Sequence, residues 1–407
     1  MNISSVLKEV LVDISISKEQ ERDFFNKAKE IIEKLKVHKL DVFIGGSLAK
    51  GTLVKKEKQD IDLFVVFDKE EDTRKLEEIL SKSGINVKKI HGSRDYFHIE
   101  HDDCIIELIP VVKISKPEQA ENVSDVSLMH VGYVKNRISK KKNLGDEIKF
   151  AKTFCFANEC YGAESYIGGF SGYALEVLVI YFGGFVKFLK GIQKKRVIDP
   201  EKYFKNEREI KRELNESKLN SPVILVDPTY RYRNVCAGLS EETFELFLNA
   251  SKKFLKSPSL RYFEKERFDI DKFRKDAAKK KAEFVKLRIE TDKQEGDIAG
   301  TKMKKFFRFI IQELERKEQK VVLSKFVYSG GKSAECYFAV KENKEIEIQG
   351  PPVKMKESVK KFKLIRKKTY VKKKFVYAKE KVSLKDIFSK LKRFEDEMSV
   401  WSEVIEY

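Results

Sequence analysis

The chain has 407 residues, room for two or three domains with their own cores, and 84 Lys plus Arg against 65 Asp plus Glu, a net charge of +19. That excess favours a polyanionic partner. Five cysteines, Cys104, Cys155, Cys160, Cys236 and Cys336, are odd in number and form no C-x-x-C pair, which argues against a disulfide scaffold or a cysteine zinc site and fits a reducing, cytosolic setting.

The N-terminus, MNISSVLKEVLVDISISKEQ, lacks a cationic head leading an apolar run, so no signal peptide is expected. Residues 18–36 follow with helical spacing, placing Phe24, Phe25, Ala28, Ile31, Ile32 and Leu35 on one side. Short β-rich runs come next, DVFIGG at 41–46, IDLFVVF at 61–67, INVKKI at 85–90, DYFHIE at 95–100 and CIIELIPVV at 104–112. A charged, helix-like stretch, KEEDTRKLEEILSKSG, separates the second run from the third. The pattern predicts an α/β domain over 1–140.

From there the spacing becomes helical, clearest at 146–162, 172–191 and 240–255, and a helical central domain is expected over 141–260. The most apolar stretch, 173–189, carries Glu176 and Lys187 and is too short for a bilayer, so no membrane anchor is expected. The GFSGY and YFGGF glycines read as helix-packing or turn positions. After a charged stretch at 262–290, a helix at 301–317 presents Met303, Phe306, Phe307, Ile310, Ile311 and Leu314 on one face, and three strand-like runs follow it. A basic α+β region over 261–407 completes a multi-domain α/β, α and α+β chain.

The charge is uneven along this order. Residues 1–140 hold 24 basic and 25 acidic side chains, 141–260 hold 20 and 15, and 261–407 hold 40 and 25. A polymer-gripping C-terminal region beside a near-neutral N-terminal domain would produce that gradient; a general Lys-rich composition is the alternative. Within it, Lys360, Lys361, Lys363, Arg366, Lys367, Lys368, Lys372, Lys373 and Lys374, interleaved with Phe362, Tyr370 and Phe375, form the candidate electrostatic surface, or equally a solvated amphipathic strand.

The chemistry concentrates in IGGSLAKGT (44–52), QDIDLFVVF (59–67) and CIIELIPVV (104–112). On a strand, Asp60 and Asp62 leave from one face while Ile61 points into the core. Glu107 interrupts an apolar run, where an acid is costly unless something pairs with it. A divalent metal shared among three carboxylates would do so, and hard oxygen ligands suit Mg²⁺, two ions of which can flank a phosphoryl displacement. The Gly45-Gly46-Ser47 turn would let a backbone approach phosphate closely. Each piece alone has a plainer reading, since a D-x-D can sit on a solvated edge and a GGS can be only a turn. Their conjunction in order is what carries weight. His98 and His101, beside Asp102 and Asp103, would face opposite sides of a strand, so no site is expected there.

Gly-Ser, then D-h-D, then a later lone acid resembles the DNA polymerase beta nucleotidyltransferase superfamily. VSLMHVGYVKNR (126–137), KTFCFANECYGAESYIGGFSGYALEVLVIYFGGF (152–185), VDPTYRYRNV (226–235) and IQGPPVKMKESVKKF (348–362) narrow the resemblance to the archaeal-type, class I CCA-adding tRNA nucleotidyltransferases.

The resemblance implies a polymerase-beta-like palm, a central domain that recognises the nucleotide, and an RNA-binding C-terminal region. It also implies transfer of CMP, CMP and AMP from CTP and ATP onto tRNA gripped at the acceptor stem and TΨC arm, with two Mg²⁺, in the cytoplasm, a homodimer being a possible assembly. Asp60, Asp62 and Glu107 take the metal-binding and catalytic places. Ser47 and Lys50 match triphosphate contacts, His130, Lys152 and Tyr161 further nucleotide contacts, and Arg233 the arginine that helps read the base edge. The residues alone leave His130 open as a core or helix-surface histidine, Tyr161 as a packing aromatic and Lys152 as a solvated lysine. Lys50 stands where Arg is frequent, Glu107 where Asp is usual, and Tyr230 where an acid is common. Rival readings are a poly(A) polymerase or oligoadenylate-synthetase-like enzyme, and a catalytically inactive RNA-binding homologue.

Overall fold

The computed structural model describes residues 2–366 and 368–407; Lys367, one of the basic residues named above, lies outside the described residues. The chain forms two compact units, one of residues 1–163 with 167–266 and one of 164–166 with 267–407.

The first unit begins with α1 (Ile3–Ile14) and α2 (Lys18–Lys36), the latter started by a reciprocal capping box between Ser17 and Gln20. The expected face of α2 is only partly inward: Phe24, Ala28, Ile31 and Leu35 are buried, while Phe25 and Ile32 pack at the margin. Then come β1 (Asp41–Ile44), α3 (Gly46–Lys50), β2 (Gln59–Phe67), a 3₁₀ turn at Glu70–Lys75, α4 (Leu76–Lys82), β3 (Lys88–Ile90), β4 (Tyr96–Glu100) and β5 (Cys104–Val112). Their sheet has the order β1-β2-β5-β4-β3, and only the central pair, β2 with β5, is parallel. The long crossover through α4 and the β3–β4 hairpin permits that parallel pairing. Ile61, Leu63 and Val65 of β2 are fully buried in alternation, which turns Asp60 and Asp62 to the other face.

Helices α5 (Ser127–Ser139), α6 (Leu144–Ala157), α7 (Gly172–Phe182) and α8 (Phe185–Gly191) follow, with β6 (Val197–Ile198), α9 (Glu207–Glu213), β7 (Ile224–Asp227), β8 (Tyr230–Asn234) and α10 (Glu241–Lys256). Phe154, Phe170, Phe185, Phe188, Phe244, Phe247 and Phe254 are fully buried and supply its aromatic core. Val6, Val10 and Ile14 of α1 belong to this core rather than to that of the sheet.

The single helix expected over 172–191 is two. Gly183 and Gly184 take φ of 78° and 141°, and α7 and α8 meet there at 90°. The Phe185 N–H donates to Glu147 Oε2 at 2.6 Å, satisfying one amide at the new helix start. Among the described residues no single helix is long and apolar enough to cross a membrane; this bent pair matches such a span only jointly, and most of its apolar side chains are buried. The 146–162 helix also stops earlier, at Ala157, which leaves Tyr161 in an extended bridge with Phe170.

In the second unit the charged stretch resolves into α11 (Ile270–Lys279) and β9 (Glu283–Glu290), whose Val285, Leu287 and Ile289 are buried between solvated charges. After it come α12 (Asp297–Arg316), β10 (Lys320–Tyr328), β11 (Ser333–Lys341), β12 (Glu345–Pro352), α13 (Lys356–Ile365), β13 (Thr369–Lys372), β14 (Phe375–Lys381), α14 (Leu384–Leu391) and β15 (Trp401–Glu406). One antiparallel sheet runs β10-β11-β9-β15, with Met303, Phe306, Phe307, Ile310 and Leu314 of α12 in its core. A smaller sheet, β12-β14-β13, carries α13, whose Phe362 sits against Gly350. The order α/β, helical, then α+β is the one expected from the sequence.

Candidate active site

Gly45 and Gly46 close the β1–α3 turn directly onto the D-x-D strand. The Gly45 N–H donates to the Asp62 carbonyl at 2.7 Å. Gly46 has φ of 55°, and a Cβ there would stand 1.6 Å from Asp62 Oδ2, so only glycine permits this approach. Ser47 and Lys50 follow on α3.

Asp62 is the register partner of Glu107 across β2 and β5, and Asp60 lies two residues back on the same face. Burial first, and then the charge of Glu107, raise the Asp62 carboxyl to about 7. Asp60 is turned to Lys56 at 2.7 Å. On β4, His98 is paired with Glu107, and its Nε2 lies 3.0 Å from Glu107 Oε1 without the alignment of a hydrogen bond. His101 lies past the end of β4. Among the described residues no three His, Cys, Asp or Glu side chains are gathered tightly enough to hold a metal ion as they stand. The donor set is nevertheless one of hard oxygens, and burial together with the charge of Glu107 raises the Asp62 carboxyl, as expected where no cation offsets the two acids. These residues fit a divalent cation.

Beside the acids lies a buried cationic pair. Lys152 of α6, left open in sequence as a solvated lysine, is 7% exposed and donates to Glu176 Oε1 at 2.8 Å and to Thr52 Oγ1 at 2.9 Å. Lys50 donates to the other oxygen, Oε2, at 2.7 Å. Glu176 is fully buried on α7; burial pushes its carboxyl up, but Lys152 and Lys50 outweigh that and hold it at about 2. Burial lowers the Lys152 ammonium, with Glu176 opposing. Both lysines act on the Asp62 carboxyl through their charge. A Cβ on Gly172 would lie 3.0 Å from the Tyr161 hydroxyl and 3.8 Å from Lys152 Cε, so both side chains come close to the start of α7.

His130 and Arg233 are gathered by an acid absent from the sequence assignments. Asp227, fully buried at the end of β7, accepts from Arg233 at 3.0 Å through Oδ2, with His130 Nε2 at 3.2 Å from the same oxygen. Its Oδ1 accepts from the Tyr173 hydroxyl at 3.1 Å and from Thr229 Oγ1 at 2.8 Å. Burial raises the Asp227 carboxyl, but the bond and charge of His130, with Arg233 and the Thr229 amide, bring it down to about 2. His130 stacks on Tyr173 at 3.9 Å, and burial lowers its imidazole. Lys50 acts on His130 as well, so its charge reaches both the acids and this group.

Three side chains that hold the candidate site together carry no assignment from the sequence: Glu176, Asp227 and Tyr173. The signal for Glu176 was present, since an acid within the apolar 173–189 run demands buried partners as Glu107 does. Asp227 stood inside the DP…RNV segment without a role.

Comparison with known proteins identifies the chain's relatives. Residues 25–125 match the model described as a nucleotidyltransferase domain, and residues 146–264 that described as tRNA nucleotidyltransferase, second domain. The CCA-adding enzyme of Nanoarchaeum equitans is 37% identical over 293 residues, covering 70% of each chain. That of Methanocaldococcus jannaschii is 31% identical over 392 residues, covering 89% of this chain and 84% of the relative. Among solved structures, a cytoplasmic RNA terminal U-transferase shares the fold, with a TM-score of 0.51 at 14% identity over 66% of this chain and 99% of that one.

Proposed function

Given that this chain belongs to the archaeal-type CCA-adding enzymes, we propose that Asp60, Asp62 and Glu107 form its catalytic, metal-holding face, with Ser47, Lys50, Lys152, Tyr161, His130 and Arg233 around the incoming nucleotide. The activity is template-independent addition of CMP, CMP and AMP, from CTP and ATP, to the 3′ end of tRNA, releasing pyrophosphate. The observation that carries the site assignment is the pairing of Asp62 with Glu107 beside two buried lysines.

The substrates are nucleoside triphosphates and tRNA, and the family's chemistry uses a divalent metal. Mg²⁺ is the ion proposed, two per site, held by Asp60, Asp62 and Glu107. When bound, it supplies Lewis acidity to phosphate and hydroxyl oxygens. The protein's own part is positioning and charge. Lys50 and Lys152 direct ammonium groups to the triphosphate and offset the charge that collects on departing pyrophosphate. Arg233 and His130, fixed by Asp227, present donors toward the base. The terminal tRNA hydroxyl attacks the α-phosphorus, and the bond from that phosphorus to the oxygen bridging to the β-phosphate breaks.

The proposed division of labour is catalysis by 1–140, nucleotide and base recognition by 141–260, and tRNA holding by 261–407 through the acceptor stem and TΨC arm. RNA would be held by shape and backbone, and the lysines of α13 supply charge for it. A cytoplasmic location and a homodimer complete the reading. Incubation with tRNA lacking its terminal triplet tests it. CTP alone is expected to add two residues, and CTP with ATP to add three and stop; an open-ended A tail would contradict the reading.

A further inference from the structure

We infer that Glu176 is a positioning residue for nucleotide binding, its single carboxylate clamping Lys50 from the palm and Lys152 from the helical region into one triphosphate-facing pair. The inference rests on the reading that these two lysines meet the triphosphate.

The geometry is divided between the two oxygens: Oε2 accepts from Lys50 at 2.7 Å, and Oε1 from Lys152 at 2.8 Å and from Thr52 at 3.0 Å. The Lys50, Lys152 and Glu176 side chains are 9%, 8% and 1% exposed. Two ammonium groups brought this close repel each other, and taken out of water each demands a partner. One carboxylate accepts a hydrogen bond from each and leaves the trio with one positive charge in excess. That excess is what a bound triphosphate would neutralise. One cation would suffice to offset the charge of one carboxylate. Glu176 instead bridges α3 and α6 from a third element, α7, so the spacing between the lysines depends on it. Both lysines also act on Asp62, which ties their placement to the catalytic face.

The test uses the full chain and the variants Glu176→Gln and Glu176→Asp. Binding of CTP and of inorganic tripolyphosphate is measured by calorimetry, and KM and kcat are measured on tRNA lacking its terminal triplet. In Glu176→Gln, KM for CTP and ATP is expected to rise at least tenfold, and tripolyphosphate binding to weaken equally. Affinity for tRNA should stay within about threefold, and kcat at saturating nucleotide should fall by less than KM rises. Glu176→Asp keeps the charge and should recover part of the affinity. Lys50→Met should cost less in the Glu176→Gln background than in the parent. If Glu176→Gln does not fold, Glu176→Asp decides by the same split, a lowered Tm with unchanged KM overturning the inference. Unchanged or tighter tripolyphosphate binding in folded Glu176→Gln overturns it too. A parent that adds no nucleotides would instead defeat the functional reading itself.

Discussion

Asp62 and Glu107 stand side by side as register partners in the parallel pair of β2 and β5, although the whole crossover through α4, β3 and β4 separates them in the chain. This adjacency makes one acid a cause of the other's raised pKa, so the face carries unneutralised negative charge until a cation arrives.

Removing that charge should trade activity for stability. Asp62→Asn is expected to abolish nucleotide incorporation, leave tRNA binding within a few fold, and raise the Tm of the metal-free protein at pH 8. Relief of repulsion worth about 1–2 kcal/mol corresponds to a rise of roughly 2–8 °C. Calorimetry in a chelating buffer checks it; a lowered Tm would mean that the acid is paired in a way the geometry does not show.

Gly46→Ala should act on the same acid through the backbone. The added methyl would overlap Asp62 Oδ2, and the φ of 55° is itself unfavourable for alanine. A loss of at least a hundredfold in kcat, with circular dichroism unchanged, is expected.

Two buried acids set the acid limb of stability. Asp227 and Glu176 have carboxyls lowered to about 2 in the fold from ordinary values of 3.8 and 4.5. Their contribution is therefore complete above about pH 5 and is lost as pH falls toward 2, each worth of the order of 2 kcal/mol. Asp62, raised to about 7, acts in the opposite sense: its cost to the metal-free fold grows as pH climbs from 4 to 7. Asp227→Asn should have a lower denaturant midpoint than the parent at neutral pH, and the gap between the two should shrink as pH falls from 5 toward 2.

Binding of tRNA should weaken steeply with salt, as release of counterions requires. Replacing Lys360, Lys361 and Lys363 on α13 together by Ala should lower the slope of log K against log salt by about 2–3, near one unit for each phosphate that a lysine no longer neutralises. Lys372 is a weaker choice because it already pairs with Glu347 at 2.9 Å. A slope equal to the parent's would remove α13 from the RNA surface.

Much of the fold was legible because local periodicity and the burial pattern agree: α2 and β5 occupy the spans their spacing predicts, 18–36 and 104–112. The break at Gly183-Gly184 was not, since apolar residues continue on both sides and only positive φ at two glycines turns the chain. β9 was passed over because its buried Val285, Leu287 and Ile289 alternate with charges that masked it. At the site, the D-x-D strand and the glycine turn could be read from spacing. The clusters around Glu176 and Asp227 could not, because Glu176 draws partners from two other segments and Asp227 from three, and only the tertiary fold decides their meeting.

The most direct test is Mg²⁺-dependent transfer of labelled CMP onto tRNA lacking its terminal triplet, by the parent and by Asp60→Asn, Asp62→Asn and Glu107→Gln. The account predicts losses of a thousandfold or more in all three, with tRNA affinity retained. Incorporation near the parental rate by any one of them would contradict a shared catalytic face.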